Sequence, residues 1–458
     1  MRRAAIFSAV MLAARLADAA PQSAAETVEA SPAQPTDSRP ETLIDERRVV
    51  ELALADHPTI QAAIEAKRAA EAGYDAAQRA RIPDLSVSAR YARLSSIPAR
   101  YRSFDGFTFP QLLDQLGARA ELSVPLSNAF LGLAAAARAA GREAEAREIE
   151  IVSTRAQVTY EARVAFLQYW SMKLALENAD ELVRAAESNA IDQRNRKAAG
   201  TVAQNDVLEF EVALDAAVMS RQAAEAELVS AEATLRTFLP RLADQKLKVS
   251  AELDRGDRPG PRPLPAPASP PQLASIEAQS RAAEARADNA TLARLPTLAA
   301  YAAGDVSAPS PRVFVLTRLV AIPTWEVGVR LEWSLSQLTV GGARATQARS
   351  EHAILLARLA DAKRKLEAER TGAIGVLNLT DTRVQRARER VERASALAKA
   401  RRGELDAGTA LPLNVVLAEA DLARAKNEHV AAVVARALSM AKLDFVDGRT
   451  APSDGGMR

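Results

Sequence analysis

The stretch Thr324-Trp325-Glu326-Val327-Gly328-Val329-Arg330-Leu331-Glu332-Trp333-Ser334-Leu335 decides the fold. Apolar and polar residues alternate along it, the period of two that sends successive side chains of a β-strand to opposite faces. One face carries Trp325, Val327, Val329, Leu331, Trp333 and Leu335, while the other carries Glu326, Arg330 and Glu332. At about 3.3 Å per residue and ~40° of tilt, Trp325 and Trp333 stand ~20 Å apart along a membrane normal, near the separation of the aromatic girdles of an outer-membrane barrel. Leu85, Val87, Ala89 and Tyr91 alternate in the same way with Ser86, Ser88 and Arg90, as do Ala120, Leu122, Val124 and Leu126 with Arg119, Glu121 and Ser123. Residues 298–303 give a weaker strand. A half-buried strand of a soluble sandwich has a comparable pattern, but no further strands are available to build one. Four strands cannot close a barrel, for which about eight are needed. A membrane reading therefore requires several copies of the chain.

The remainder reads as helix. Residues 129–199 and 343–407 contain no proline and are rich in Ala, Glu, Arg and Leu. At 1.5 Å per residue each spans roughly 100 Å, too long for a compact domain. Shorter helical stretches, residues 42–80 and 203–239 and their second-half counterparts, add up to about one long helix per pair. That sum predicts a wall in which two short helices stack end to end beside a long one. Tyr160, Val164, Leu167 and Leu174, or Val207, Leu214, Val218, Leu228 and Leu235, keep the spacings of coiled-coil packing.

The chain also repeats itself. Ala80-Arg81-Ile82-Pro83-Asp84-Leu85 returns as Ala293-Arg294-Leu295-Pro296-Thr297-Leu298, Leu122 to Ser127 as Leu331 to Ser336, and Ala199-Gly200-Thr201 as Ala407-Gly408-Thr409, at offsets of 213, 209 and 208. Matches at nearly one offset predict a tandem duplication: residues 42–252 and 272–448, each ordered helix, strand, strand, long helix, turn, helix, joined by a Pro-rich linker at 253–271 that cannot be helical.

Composition narrows the chemistry. Aromatics are 4% of 458 residues against 48% hydrophobic, so thin helices suit the chain better than thick cores. With 60 Lys and Arg against 58 Asp and Glu, the total implies no nucleic-acid face. The absence of cysteine removes disulfides, thiolate metal sites and thiol catalysis. His57, His352 and His429 are far apart and lack a catalytic constellation, Glu143/Glu145 and Glu367/Glu369 fall on different helix faces, and Gly341-Gly342 lacks the Lys-Ser or Lys-Thr of a phosphate loop. No enzyme activity, metal or cofactor is expected. Arg2 and Arg3 before the apolar residues 4–14, with Ala17-Asp18-Ala19 after them, read as an export signal over 1–19; an Ala-rich helix is the other reading. Residues 20–41 are expected to form a disordered leader and 449–458 a disordered tail. No segment reaches the 18 uncharged apolar residues of a transmembrane helix, so a membrane would be crossed by strands.

From about Leu43 to Gly448 the sequence resembles the TolC-like outer membrane efflux proteins. The opening Ala53-Leu54-Ala55-Asp56-His57-Pro58, its end at Ala80-Arg81-Ile82-Pro83, the duplication, and the Gly-Thr turn followed by Asp206-Val207-Leu208 carry the likeness. The resemblance implies a mostly α fold with a small transmembrane β part: a trimer of a tandem-duplicated α-helical barrel, four strands per chain completing one 12-stranded β-barrel in the outer membrane of a Gram-negative bacterium. It implies a passive duct for small molecules or proteins, supplied by an inner-membrane pump of RND or ABC type through a periplasmic adaptor. A non-transporting periplasmic scaffold or adaptor is the alternative, though an adaptor would need two lipoyl halves that the sequence lacks. Docking would use the tips at Gly200, Thr201, Gly408 and Thr409. The periplasmic aperture would be lined by Asp206, Asn414 and Leu417, and the lipid would meet Trp325, Val327, Val329, Leu331 and Trp333. The chain departs from the family where an arginine and two aspartates narrow the closed mouth. Ala410, Asn414 and Leu417 stand there, and Asp206 is the one carboxylate of the set. As a first-turn acid, Asp206 also has a sufficient role on the dipole of its own helix.

Overall fold

The structure is a computed structural model and describes residues 41–101, 103–104, 107–108, 111–126, 132–242, 244–249, 270–310, 312–313 and 319–449. The expected export signal, the leader up to Pro40, most of the Pro-rich linker and the tail beyond Arg449 lie outside them.

From its first described residue the chain runs β1 (Glu41–Ile44), α1 (Glu46–Asp56), α2 (Pro58–Arg79), β2 (Asp84–Arg93), a two-by-two-residue hairpin of β3 (Ser103–Phe104) and β4 (Phe107–Thr108), β5 (Asp114–Pro125), α3 (Leu133–Ala198), α4 (Gln204–Arg236) and β6 (Lys246–Val249). The order then recurs as α5 (Pro271–Leu292), β7 (Thr297–Ala308), β8 (Ile322–Glu332), α6 (Ser336–Asp406) and α7 (Pro412–Val446).

The opening helix is broken where one was expected. Pro58 lacks an N–H and sits at the first position of α2, while His57 before it is extended at φ −65° and ψ 126°. Ahead of α1, Asp45 accepts the Arg48 N–H at 2.6 Å as an N-cap. β1 pairs in parallel with β6, a contact the sequence concealed because four residues are too few to display a period.

α3 spans 66 residues and α6 spans 71, each about 100 Å at 1.5 Å per residue. α2 and α4 lie along α3, which on its other side meets α5 and α7; α6 then packs on α5 and α7. Rows therefore alternate between a short pair and a long helix, with α2/α4 at one edge and α6 at the other. Close approach depends on alanine: Ala146 of α3 packs on Ala278 and Ala282 of α5. The largest apolar cluster among the described residues lies where α1, α3, the end of α4, β1 and β6 meet, around Ile44, Val49, Phe166, Leu235 and Leu239. Beside it the Arg163 guanidinium joins Glu46 of α1 at 2.6 Å and Asp444 of α7 at 3.1 Å, tying three helices at one height. Burial pushes the Tyr169 phenol up to about 12 in the same cluster, where its hydroxyl donates to the Leu247 carbonyl at 3.4 Å.

Candidate functional site

Four strands form one antiparallel sheet in the order β2-β5-β7-β8. The expected third strand is not short: β7 runs twelve residues, because hydrogen-bonded partners on both sides hold an alanine-rich segment of low β-propensity extended. β8 ends at Glu332, so Trp333 and Leu335 lie beyond the strand to which the alternation assigned them. The helical turn that opens α6 claims Leu335, and the Trp333 indole N–H donates to the Arg294 carbonyl at 3.4 Å.

Register sorts the two faces. Leu85, Val87 and Tyr91 of β2, Leu116 and Leu122 of β5, Val306 of β7, and Trp325, Val327, Val329 and Leu331 of β8 all point to the same side and are all exposed, Trp325 at 77% and Val327 at 71%. A continuous bare apolar face of this extent is not a water-facing surface of a soluble monomer. The opposite face is polar. Ala303 of β7 is paired with both Glu121 of β5 and Glu326 of β8, and its small side chain lets long ones meet above it. There Arg119 reaches Glu326 at 2.7 Å and Glu121 at 2.9 Å, Arg330 reaches Glu121 at 3.3 Å, and Arg312 reaches Glu326 at 3.4 Å. The Arg330 guanidinium stacks 4.8 Å above the Tyr301 ring. Tyr301 lies so close over Gly328 that a Cβ there would fall 2.9 Å from its hydroxyl, so a larger residue at that point would displace the Tyr301 ring.

At the far ends of the long helices the two halves repeat one geometry. Gly200 and Gly408 have φ of 75° and 72°, a region L side chains enter only with strain. Each closes a Schellman turn: the Gly200 N–H donates to the Lys197 carbonyl at 2.9 Å and that of Thr201 to Arg196 at 3.0 Å, while those of Gly408 and Thr409 donate to Leu405 at 3.0 Å and Glu404 at 2.9 Å. The Thr201 and Thr409 hydroxyls add bonds to the same Arg196 and Glu404 carbonyls. Asp206 and Asn414 are the third residues of α4 and α7. The Asp206 carboxylate accepts the Ala203 N–H at 3.1 Å, a helix-capping role that fits the helix positive end, and Asn414 is half-buried while Leu417 is exposed.

A buried carboxylate escaped the sequence reading. Glu419 of α7 accepts from Arg402 of α6 and from the Asn189 amide of α3 at 2.8 Å, beside a cavity of about 440 Å³ between these helices. Arg196 to Asp406 at 2.8 Å, Lys426 to Glu181, and Asn178 to Asn427 at 2.9 Å add further polar rungs between the α3/α4 and α6/α7 hairpins. The available signal was a lone acid inside Val415-Val416-Leu417-Ala418-Glu419-Ala420.

Among the described residues no helix is long and apolar enough to cross a membrane, which says nothing of strands, and no group of three or more His, Asp or Glu could hold a metal ion.

Residues 49–240, nearly all of the first repeat, match the profile of the outer membrane efflux protein family. Over that stretch the chain is similar to that family. Its fold is that of solved outer-membrane channels. The Campylobacter jejuni CmeC outer membrane channel superposes with a TM-score of 0.76 at 13% identity, over 90% of this chain and 87% of that one. VceC, an outer membrane protein of Vibrio cholerae, gives 0.69 at 17% identity over 88% and 96%. The open state of the Neisseria gonorrhoeae MtrE outer membrane channel gives 0.66 at 14% identity over 88% of each chain. No curated protein matches the sequence.

Proposed function

We propose that this protein works as the passive exit duct of a tripartite export system, three copies joining their four-stranded sheets into one 12-stranded barrel in the outer membrane and their helices into a periplasmic tunnel. The observation that carries the reading is the sheet with one exposed face that is apolar except for the Arg93–Asp114 pair at one end and one charged face, set beside helices of about 100 Å. A single sheet of four strands has open edges and cannot close on itself, and three copies supply enough strands for a small barrel. On this reading Trp325, Val327, Val329 and Leu331 meet lipid, with Trp333 just below the strand. Arg119, Glu121, Glu326 and Arg330 line the water-filled bore.

A periplasmic adaptor joined to an inner-membrane pump, of RND or ABC type, would meet the duct at the Gly200-Thr201 and Gly408-Thr409 tips. Asp206, Asn414 and Leu417 would surround the aperture there. Asp206 is already engaged in capping α4, so the bonds that hold the mouth closed are assigned instead to Glu419 with Arg402 and Asn189, and to Arg196 with Asp406. Purified protein in planar bilayers tests the duct directly: stepwise conductance that appears in multiples of one unit supports it, and protein that inserts without conductance at any voltage rejects it.

A further inference from the structure

A cavity of about 590 Å³ opens just beneath the sheet, walled by the end of α2 with the turn after it, the first turns of α3 and the second half of α5. α2 and α5 flank α3, so α3 is the floor and the other two are the banks. Small residues keep the floor low. Gly141 lets the Tyr74 ring lie across α3, since a Cβ there would fall 3.2 Å from that ring. The charges around the cavity do not all cancel. Arg142 and Arg281 share Glu145, at 2.6 and 3.8 Å. Arg81 and Arg138 on one side, and Glu284 and Asp288 on the other, make no ion pair among the described residues, and all four are exposed. Opposite charges that line one cavity without meeting leave room for a ligand that carries both.

We propose that this cavity binds the phosphoethanolamine headgroup of a phospholipid, its phosphate held by Arg81 and Arg138 and its ammonium by Glu284 and Asp288. The proposal rests on the membrane reading above and adds a lipid site to it. Depth selects a lipid. Arg81 lies in the turn that leads into β2, Arg138 about 8 Å below the start of α3, and Asp288 about 6 Å below the end of α5. If the sheet spans the hydrocarbon, these positions fall in the headgroup layer, roughly 5–8 Å deep on each side of a ~30 Å core.

Donor chemistry selects the headgroup. Two guanidinium forks match the oxygens of a phosphodiester, which each can hold through two parallel bonds. Arg81 has its fork largely at its disposal, donating to the Gln78 amide oxygen at 3.3 Å. Glu284 and Asp288 are four residues apart on α5, neighbours on one helix face, and two adjacent carboxylates accept from an ammonium that has three N–H donors. Phosphatidylglycerol offers the phosphate without the ammonium. Phosphatidylcholine offers a cation whose methyl groups leave no N–H to donate. The site should therefore rank phosphatidylethanolamine above both.

The test uses the full exported chain, purified in detergent, delipidated, and offered each of the three lipids in turn, with retained lipid counted by native mass spectrometry. The unsubstituted protein should retain phosphatidylethanolamine about tenfold better than either of the others, the worth of one charge-assisted bond. Arg81→Gln with Arg138→Gln should lower retention of phosphatidylethanolamine and phosphatidylglycerol alike by about tenfold or more. Glu284→Gln with Asp288→Asn should keep phosphatidylglycerol and lose the preference for phosphatidylethanolamine. Heat-resistant outer-membrane trimer should form in both double variants, since all four side chains are exposed. Binding of soluble phosphoethanolamine without retention of the lipid would overturn the lipid as its source. Equal retention of all three lipids by unsubstituted trimer, or retention that neither double variant changes, would overturn the site and leave the duct reading standing. Recovery of the unsubstituted chain only as a soluble periplasmic monomer would overturn both.

Discussion

The two long helices of this chain come from equivalent places in its two repeats yet live in different surroundings. α3 has neighbours on both sides and buries sixteen residues, among them Phe166, Leu167 and Val158. α6 has neighbours on one side only, and Leu379, Ile354 and Val376 stand in the open. Their compositions follow. α3 carries four aromatics, Tyr160, Phe166, Tyr169 and Trp170, among its buried alanines, whereas α6 carries none and is richest in alanine, arginine and leucine. The family profile also ends at residue 240, within the first repeat. An interior helix is held by contacts inside its own chain, whereas on the three-copy reading an edge helix also meets a neighbouring copy, so equivalent places in the two repeats need not carry equal sequence constraint.

Substitutions sharpen that contrast. Phe166→Ala removes a side chain with 0% exposure from the thickest cluster and should cost about 3–5 kcal/mol, seen as a lower melting temperature of detergent-solubilised monomer. Leu379→Ala, at a residue 73% exposed in the chain, should change monomer melting by less than about 0.5 kcal/mol and instead make the trimer easier to dissociate. Equal losses in the monomer would erase the distinction between interior and edge.

The sheet offers the next contrast, between its faces. Val329→Arg should cost about 2–4 kcal/mol of membrane stability and reduce assembled protein in the outer membrane. Arg330→Ser should leave assembly intact and alter conductance, since it loosens the Glu121 contact and the stacking on Tyr301. The same damage from both would reject the assignment of lipid and bore faces.

Much of this was legible in advance. Strand alternation survives in single sequences because each face has one solvent, and the long helices were legible because nothing interrupts them. The tips were readable from glycine, since Gly200 and Gly408 occupy a backbone region that other residues avoid. Other features had no local signature. β7 is long because of its neighbours and not because of its own alanines. The alternation overran β8 because Trp333-Ser334-Leu335-Ser336 continues the pattern by chance into the start of a helix. Glu419 was invisible as a site because its partners, Asn189 and Arg402, are brought to it by two other helices.

Smaller effects are expected at the tips and on α7. Gly200→Val with Gly408→Val should strain the turns by about 1–2 kcal/mol, with no clash because both glycines face open space. Trimer on a blot should be normal, while crosslinking to the adaptor and export by the same cells should fall; normal export would remove the tips from the docking role. His429 is lowered below its ordinary pKa by burial and then by Arg388, and its Nδ1 has no hydrogen-bond partner. The unfolded chain therefore takes up this proton first as pH falls through about 6.5, and stability should decline from there toward the lower folded pKa, with no contribution above that window. His429→Gln should flatten the decline between pH 7.5 and 5 in thermal melts.

The central claim, that three copies complete an outer-membrane duct, is tested most directly by fractionating cells that express the unaltered chain and running the detergent-extracted outer membrane unheated. The account predicts a heat-resistant species at three times the mass of the exported chain, in the outer-membrane fraction and absent from the soluble periplasm. A soluble periplasmic monomer would contradict it.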